Sequence, residues 1–312
     1  MSTRTATVVR RSLRTALLAL ILAVAALVVP NGAVNPTYSA LVKMQTAEGT
    51  DLGKLAHGKD IITILAVGSD ARPGENMLHT RGDALHLIFM NTRTHAAADI
   101  GVARDSWVDI PGAGMSRINA ALYYGGPQLL GRTVGNLIGV QPDYVFVTRF
   151  HYFQHMVHAI GGITVDNPIF FDDPEIWPQG FKKGKIHLSG LTALKFSRIR
   201  HTLARGDFDR DLNQDRVIRG IQAKVHRMRA HPGFIARGIL SVMKNLATDL
   251  GPTELYTLAH AVADVDPAKV TNCVVLGHGM VIGGADVVAP DVALARRLGN
   301  DARNDATLPR SC

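Results

Sequence analysis

Apolar and β-branched runs alternate along the chain with segments of helical period. Ile61–Val67 is a continuous apolar run closed by Gly68, a pattern typical of a strand buried on both faces. Further strands are predicted at residues 84–90, 98–103, 144–147, 163–165 and 270–276. Helices are predicted at residues 116–124, 127–138, 150–160, 189–198, 210–229, 232–246, 253–263 and 290–298, and a proline-rich surface loop at residues 167–184. This alternation predicts an α/β fold with a central mixed β-sheet flanked by helices.

The N-terminal residues differ in composition from the rest of the chain. Residues 1–14 carry four arginines and no acid, and residues 15–34 are uncharged and strongly apolar. A stretch of about 20 such residues spans a bilayer, and the basic flank before it stays in the cytoplasm. We therefore expect a short basic cytoplasmic segment at 1–14, a transmembrane helix at 15–34 and a linker at 35–59. A cleaved signal peptide is the alternative, and either feature exports the rest of the chain.

The remaining chain is expected to form one extracytoplasmic domain at residues 60–301, followed by a C-terminal tail at residues 302–312. The formal net charge of +8 includes the four N-terminal arginines, which leaves only +4 for the exported part. A small excess of basic residues in an exported domain argues against a nucleic-acid partner.

The chain has only two cysteines, Cys273 and Cys312, which excludes a disulfide-dense scaffold and a four-thiolate zinc site. Outside the membrane thiols tend to pair, so we expect these two to form the one possible intrachain disulfide. The bridge would hold the C-terminal tail against the last predicted strand.

Arginines and aspartates stand at the ends of predicted strands and helices. They are Asp70 and Arg72, Arg81 and Asp83, Arg104 and Asp105, Arg198 and Arg200, and Asp207 and Arg210, with Gln214 one helical turn later. Ligands of open α/β sheets bind outside strand ends, arginine recognises phosphate with two parallel hydrogen bonds, and aspartates hold Mg²⁺ beside phosphate oxygens. The pattern favours a phosphate or diphosphate site, and ion pairs on loops are the alternative.

At these residues the sequence resembles the LytR–CpsA–Psr (LCP) family of cell-wall glycopolymer ligases. The matching stretches, in the family's order, are Val67–Arg72, Arg81–Asp83, Ala103–Gly112, Arg117–Ala121, Tyr124–Pro127, Ile160–Val165, Leu188–Leu194, Arg198–Arg200 and Asp207–Arg210. The sequence departs from the family pattern at Ala84, where Thr is usual, at Asn213, where Arg is common, and at Ala103, where Pro is frequent.

The resemblance implies an LCP-type catalytic domain on a membrane anchor, with a role for each matched residue. Asp70 and Asp83 would bind Mg²⁺ (or Mn²⁺). The diphosphate-binding residues would be Arg81, Arg104, Arg198, Arg200, Arg210 and Gln214. Arg104 would also act in catalysis, and either Asp83 or Asp105 would be the base; the sequence does not distinguish the two.

The activity implied is a phosphotransferase that moves a glycopolymer, as its glycosyl-1-phosphate, from a polyprenyl diphosphate carrier to a peptidoglycan hydroxyl. The implied partners are this lipid-linked glycopolymer, peptidoglycan and the membrane, with a single-pass protein acting outside the cell. Arabinogalactan, teichoic acid and capsule all remain open as the polymer. A non-catalytic polyprenyl-phosphate-binding envelope protein is the alternative function. The isoprenoid tail needs an apolar tunnel, which the predicted strands and the helices at 134–138 and 150–160 could line.

Overall fold

The computed structural model describes residues 38–46, 48, 60–231, 233–234 and 246–309. The basic segment and anchor expected at residues 1–34, most of the helix expected at 232–246, and Cys312 lie outside the described residues. Within the described ranges, no helix is both long and apolar enough to cross a bilayer.

The described residues form fifteen strands and six α-helices. In chain order the strands are β1 (Ser39–Lys43), β2 (Ile61–Ser69), β3 (Gly82–Asn91), β4 (Ala97–Val102), β5 (Trp107–Ile110), β6 (Gly114–Arg117), β7 (Tyr144–Arg149), β8 (Ile163–Asn167), β9 (Phe171–Asp173), β10 (Trp177–Phe181), β11 (Gly184–Leu188), β12 (Leu246–Thr248), β13 (Val270–Val275), β14 (Gly277–Ile282) and β15 (Ala285–Pro290). The helices are α1 (Ala120–Ile138), α2 (Phe150–Ala159), α3 (Gly190–Phe196), α4 (Asp207–Met228), α5 (Pro252–Asp264) and α6 (Val292–Asp305).

Seven strands form the central sheet, in the order β12-β1-β7-β2-β3-β4-β13. β2 pairs with β7 in parallel and with β3 in antiparallel orientation, and β4 pairs with β13 in parallel. The predicted mixed sheet flanked by helices is therefore confirmed. Because β3 runs against β2 and β4, the end of β2, the start of β3 and the end of β4 meet at one edge of the sheet.

The two faces of the sheet have different partners because side chains alternate along each strand. On β3, Leu85, Leu87 and Phe89 point into a core shared with α1 and α6. The alternate positions His86, Ile88 and Met90 point to the opposite face, where they line a cavity. The helices predicted at 116–124 and 127–138 correspond to one helix, α1, which is kinked at Gly125 and Gly126, the latter with φ +63°. The predicted start at 116 is wrong, because Ser116 and Arg117 pair in β6 and α1 begins at Ala120.

The structure differs from the sequence expectations at several boundaries. The expected linker at 35–59 contains β1, which pairs with β7 and β12 in the central sheet. The expected tail at 302–312 is wrong at its start, because α6 continues to Asp305. The loop expected at 167–184 holds β9 and β10, and Leu246 begins β12 instead of ending a helix. These strands are short, so they are identified as strands by their pairing with neighbouring strands and not by a pattern in their own sequence.

A second, smaller core packs below α2 and positions the segment after α3. Phe171, Phe181 and Phe196 pack against one another in tilted and edge-to-face arrangements, with ring centroids 5.1–5.4 Å apart. Phe196 ends α3, so this aromatic cluster fixes the point from which the chain continues into Ser197–Arg200, here named the arginine segment.

Cys273 lies buried on β13 and is not a free thiol. Its expected partner, Cys312, lies outside the described residues, so the Cys273–Cys312 pairing stays a prediction.

Candidate active site

A cavity of about 890 Å³ lies between the central sheet and helices α2, α4 and α5. Its walls are mostly apolar side chains, among them Ile64, Ile88, Phe146, Phe153, Val217 and Leu258. The predicted contribution of α2 is confirmed, but that of residues 134–138 is wrong. Those residues pack in the core on the other face of the sheet, because α1 crosses that face.

One end of the cavity is charged. Asp70 follows β2, Asp83 is the second residue of β3 and Arg104 follows β4, so all three lie at the same edge of the sheet and line the cavity. A guanidinium nitrogen of Arg104 lies 2.6 Å from a carboxylate oxygen of Asp83. Arg104 Nε is buried, lies 3.5 Å from Asp105 and has no hydrogen-bond partner among the described residues. Arg104 is therefore held between two carboxylates, those of Asp83 and Asp105, at the charged end of the cavity.

Asp70 is held close to other charges. Burial raises its pKa, the neighbouring Asp83 carboxylate raises it further, and Arg72, Arg198 and Arg104 act against both effects. The loop after Asp70 is tied down by Arg149, at the end of β7, whose guanidinium donates to the backbone carbonyls of Ala71, Arg72 and Glu75. Nothing in the local sequence around Arg149 indicates this role, which was not predicted.

The arginine segment and the start of α4 bring three more predicted arginines to the cavity: Arg198, Arg200 and Arg210. A carboxylate oxygen of Asp207, in the first turn of α4, lies 2.7 Å from a guanidinium nitrogen of Arg210 and 3.4 Å from one of Arg200. Arg210 is only 5% exposed and its Nε has no hydrogen-bond partner among the described residues. Arg198 stacks over the ring of Phe150 at 5.3 Å. A single carboxylate thus aligns two guanidinium groups that face the same space.

Two predicted site residues lie outside the cavity wall. Arg81 is exposed and does not line the cavity. Asp105 also lies off the wall, within 3.5 Å of both Arg104 and Arg117. The remaining predicted residues, Asp70, Asp83, Arg104, Arg198, Arg200, Arg210 and Gln214, all line the cavity.

A buried polar network beneath the arginines was not predicted. His86 Nδ1 lies 3.1 Å from both carboxylate oxygens of Asp99, and His86 Nε2 lies 3.2 Å from the amide oxygen of Gln214. Asp211 and Asp215 of α4 are also buried beside it. The sequence contains a sign of this network, because a histidine and an aspartate interrupt two otherwise apolar strands. It does not show that these two residues contact each other.

Burial and neighbouring charges together shift the pKa values of this network. Desolvation lowers the pKa of His86, but the charge and hydrogen bond of Asp99, with Asp211 and Gln214, outweigh it and raise that pKa to about 9. Burial and the Asp99 carboxylate raise the pKa of Asp215 to about 8. Burial also raises the pKa of Asp211 to about 6, against the opposing effect of Arg210.

The donor set at the charged end suits a hard divalent cation completed by a ligand. Among the described residues, no group of three or more His, Cys, Asp or Glu side chains forms a metal site by itself. Asp70 and Asp83 provide two carboxylates whose mutual repulsion a cation would relieve. Mg²⁺ is commonly held by one or two carboxylates together with phosphate oxygens, and the residues present fit that arrangement.

An apolar cavity with a charged end rich in arginine is typical of α/β proteins that bind an amphiphile with an anionic head group. The chain belongs to the LytR_cpsA_psr family, whose sequence model matches residues 32–303. It is 30% identical over 210 residues to the polyisoprenyl-teichoic acid–peptidoglycan teichoic acid transferase TagU of a Bacillus cereus strain, a match that covers 67% of each chain.

Solved structures agree with this assignment. The crystal structure of B. subtilis TagU matches with a TM-score of 0.61 at 26% identity, covering 80% of this chain and 99% of that one. TagT with bound octaprenyl pyrophosphate lipid matches with a TM-score of 0.61 at 21% identity, covering 85% and 96%, which shows a shared fold. The family predicted from the sequence motifs is therefore confirmed.

Proposed function

We propose that this protein is a phosphotransferase that moves a glycopolymer from a polyprenyl diphosphate carrier to a hydroxyl of peptidoglycan. The acceptor oxygen attacks the phosphorus next to the sugar and forms a new P–O bond. The bond from that phosphorus to the bridging oxygen breaks, and polyprenyl monophosphate leaves with the electron pair. The proton of the acceptor hydroxyl passes to a carboxylate of the site.

One observation carries this proposal: the apolar cavity of about 890 Å³ ends at Asp70, Asp83, Arg104, Arg198, Arg200 and Arg210. An isoprenoid tail matches the apolar walls, and a diphosphate matches the arginines. The relative TagU is named for transfer from a polyisoprenyl carrier to peptidoglycan, and TagT, which shares the fold, binds octaprenyl pyrophosphate. Both support the same substrate class here.

The arginines carry most of the catalysis in this proposal. Charge accumulates on the equatorial and leaving oxygens during phosphoryl transfer, so aligned positive groups stabilise the transition state. Arg104 lines the charged end of the cavity between Asp83 and Asp105, while Asp207 holds Arg200 and Arg210 in orientation. These guanidinium groups sit in a partly buried site, where their interaction with phosphate is stronger than in water.

Asp70 and Asp83 would hold Mg²⁺, which supplies charge neutralisation of the diphosphate when bound. Asp83 is also the better placed of the two candidate bases, because it faces the cavity whereas Asp105 does not. Asp105 instead lies between Arg104 and Arg117, where it orients the Arg104 guanidinium. We therefore assign Asp83 to the reacting centre and Asp105 to positioning.

The donor is a membrane lipid, so we propose that the protein works at the outer face of the cell membrane on an anchor at residues 15–34. The apolar, uncharged sequence of those residues and the preceding arginines support this location. Peptidoglycan is the proposed acceptor, and the polymer transferred is decided by the donor that the cell supplies.

The test is transfer in a defined mixture of purified full-length protein, polyprenyl-diphosphate-linked glycopolymer and cell-wall acceptor, with Mg²⁺. Parallel reactions use donors carrying teichoic acid, arabinogalactan and capsule polymer. Covalent attachment with release of polyprenyl monophosphate is expected for at least one donor. Tight binding of the donors without attachment of any of them would contradict transfer and identify a carrier-binding protein instead.

A further inference from the structure

Gln214 is held in one orientation by its two neighbours. Its amide nitrogen lies 3.3 Å from the backbone carbonyl oxygen of Ser197, and its amide oxygen lies 3.2 Å from His86 Nε2. A carbonyl oxygen only accepts hydrogen bonds, so the –NH₂ group of Gln214 must face Ser197. The oxygen of Gln214 then faces His86, and His86 Nε2 must carry a proton.

The other nitrogen of His86 must carry a proton as well. Nδ1 lies 3.1 Å from both oxygens of the Asp99 carboxylate, which accepts hydrogen bonds. His86 is therefore an imidazolium that donates to Asp99 on one side and to Gln214 on the other. Its side chain is 2% exposed, so the hydrogen bonds are shielded from water.

These contacts form a chain from the sheet to the arginine segment. Asp99 lies on β4, His86 on β3, Gln214 on α4, and Ser197 directly precedes Arg198. Ser197 is the first residue of the arginine segment, which ends at Arg200 and lines the cavity. The hydrogen bond from Gln214 to the Ser197 carbonyl therefore holds the start of this segment. A buried charge-assisted hydrogen bond is stronger and better oriented than a neutral one, so it fixes the position of the group that it holds.

We propose that His86 is a positioning residue: through Gln214 it sets the arginine segment so that Arg198 and Arg200 meet the diphosphate of the donor. The inference rests on the proposed function of this site and names a residue that acts through others. The groups facing His86 are Asp99 from β4 and Asp211, Gln214 and Asp215 from α4. Asp99 and Asp211 supply its counter-charges, and its hydrogen bond to the neutral Gln214 is the contact directed to the arginine segment.

The experiment is a double-mutant cycle on the full-length protein, with geranylgeranyl diphosphate as the probe. The variants are His86→Leu, Gln214→Ala and the two combined, with His278→Leu on the exposed β14 as the matched control. We expect His86→Leu and Gln214→Ala each to weaken probe binding about tenfold, the size of one charge-assisted hydrogen bond. The double variant should lose no more than either single variant, because both act along one path.

Two further measurements separate positioning from a general loss of structure. Uncharged geranylgeraniol, which lacks the diphosphate, should bind all variants as it binds the wild type. Wild-type affinity for geranylgeranyl diphosphate should fall above pH 9, where His86 loses its proton, and His86→Leu should lack this fall. If His86→Leu does not fold, Asp99→Asn takes its place in the cycle, because a neutral amide removes the carboxylate that holds the imidazolium.

The outcomes distinguish this inference from the proposed function. Wild-type affinity in a folded His86→Leu variant, while Arg200→Ala binds weakly, would overturn the role of His86 and keep the site. Additive losses in the cycle would also overturn it, since the two residues would then act independently. Wild-type affinity in Arg200→Ala and Arg104→Ala would overturn the proposed diphosphate site itself.

Discussion

A guanidinium nitrogen of Arg104 lies 2.6 Å from a carboxylate oxygen of Asp83, and both side chains are about four-fifths buried at the charged end of the cavity. Arg104 follows β4 and Asp83 is the second residue of β3, so antiparallel pairing of these strands brings the two together. The pair balances charge inside a protein interior, where an unpaired charge costs several kcal/mol. Both residues line the cavity at the end that the diphosphate would occupy.

Replacing Arg104 or Arg200 by alanine should reduce transfer by about 10²–10³-fold, because each loses a charge-assisted contact in the transition state. Lysine at either position should restore only part of the rate, since a point charge lacks the two-pronged geometry of guanidinium. The measurement is initial transfer rate beside melting temperature. Arg93→Ala, which breaks an exposed ion pair with Asp60, is the control and should transfer normally. Normal rates in both site variants at wild-type stability would remove these arginines from the mechanism.

Asp70→Asn should weaken binding of Mg²⁺ in the presence of geranylgeranyl diphosphate, because it removes one of two candidate carboxylate ligands. Calorimetric titration measures this directly, and raised Mg²⁺ should recover part of the transfer rate. Asp109→Asn, on an exposed part of β5, is the control. Unchanged Mg²⁺ affinity in Asp70→Asn would contradict the metal assignment.

Asp83→Asn separates the two roles proposed for Asp83. A lost metal ligand is compensated by a higher metal concentration, whereas a lost base is not. We expect transfer by this variant to stay low at saturating Mg²⁺, as a base assignment requires. Full recovery at high Mg²⁺ would show that Asp83 acts only as a ligand.

The free energy of unfolding should fall as pH rises from about 6.5 to 9. The raised pKa values of His86, about 9, and Asp215, about 8, mean that the folded state keeps protons that the unfolded chain releases. Stability from His86 is thus fully present below pH 6.5 and is lost through pH 9, by roughly 3 kcal/mol for a shift of this size. Urea unfolding at several pH values measures how steeply the free energy of unfolding falls with pH. This slope should be shallower in His86→Leu. An equal slope in that variant would contradict the protonated state of His86.

Gly190→Ala should destabilise the fold by about 2 kcal/mol or more, because overpacking a close contact forces the backbone apart. A Cβ at Gly190 would collide with the backbone carbonyl of Gln154, where α3 crosses α2. Gly279→Ala, where a Cβ meets no atom within 4 Å, is the matched control and should change stability little. Thermal unfolding of both variants gives the comparison, and equal melting temperatures would show that the two helices separate at little cost.

The anchor proposed at residues 15–34 predicts the topology of the chain. A reporter enzyme that works only outside the cell should be active when fused after Val34, and a cytoplasmic reporter should be silent there. Labelling of the exposed Lys182 and Lys183 only from the cytoplasmic side would contradict the export of the domain.

The sequence by itself determined the α/β class, the strands of the sheet centre and most of the charged site. Ile61–Val67 is apolar except for Thr63 because β2 is covered on both faces, so its pattern can be recognised without knowledge of the neighbouring strands. The site residues were recognisable because arginine and aspartate next to strand ends carry a chemical signature of their own. The family motifs then assigned these residues to one site, although the sequence gives no distances between them.

Only the tertiary structure decided which charged groups meet and which do not. Asp105 and Arg81 share motifs with Arg104 and Asp83, yet they lie off the cavity wall, because the direction of a side chain depends on the backbone around it. β1 could not be recognised, since a five-residue strand is defined by the neighbours it pairs with. The contact between His86 and Gln214 joins residues 128 positions apart, and no local pattern encodes a pairing that depends on how α4 packs on the sheet.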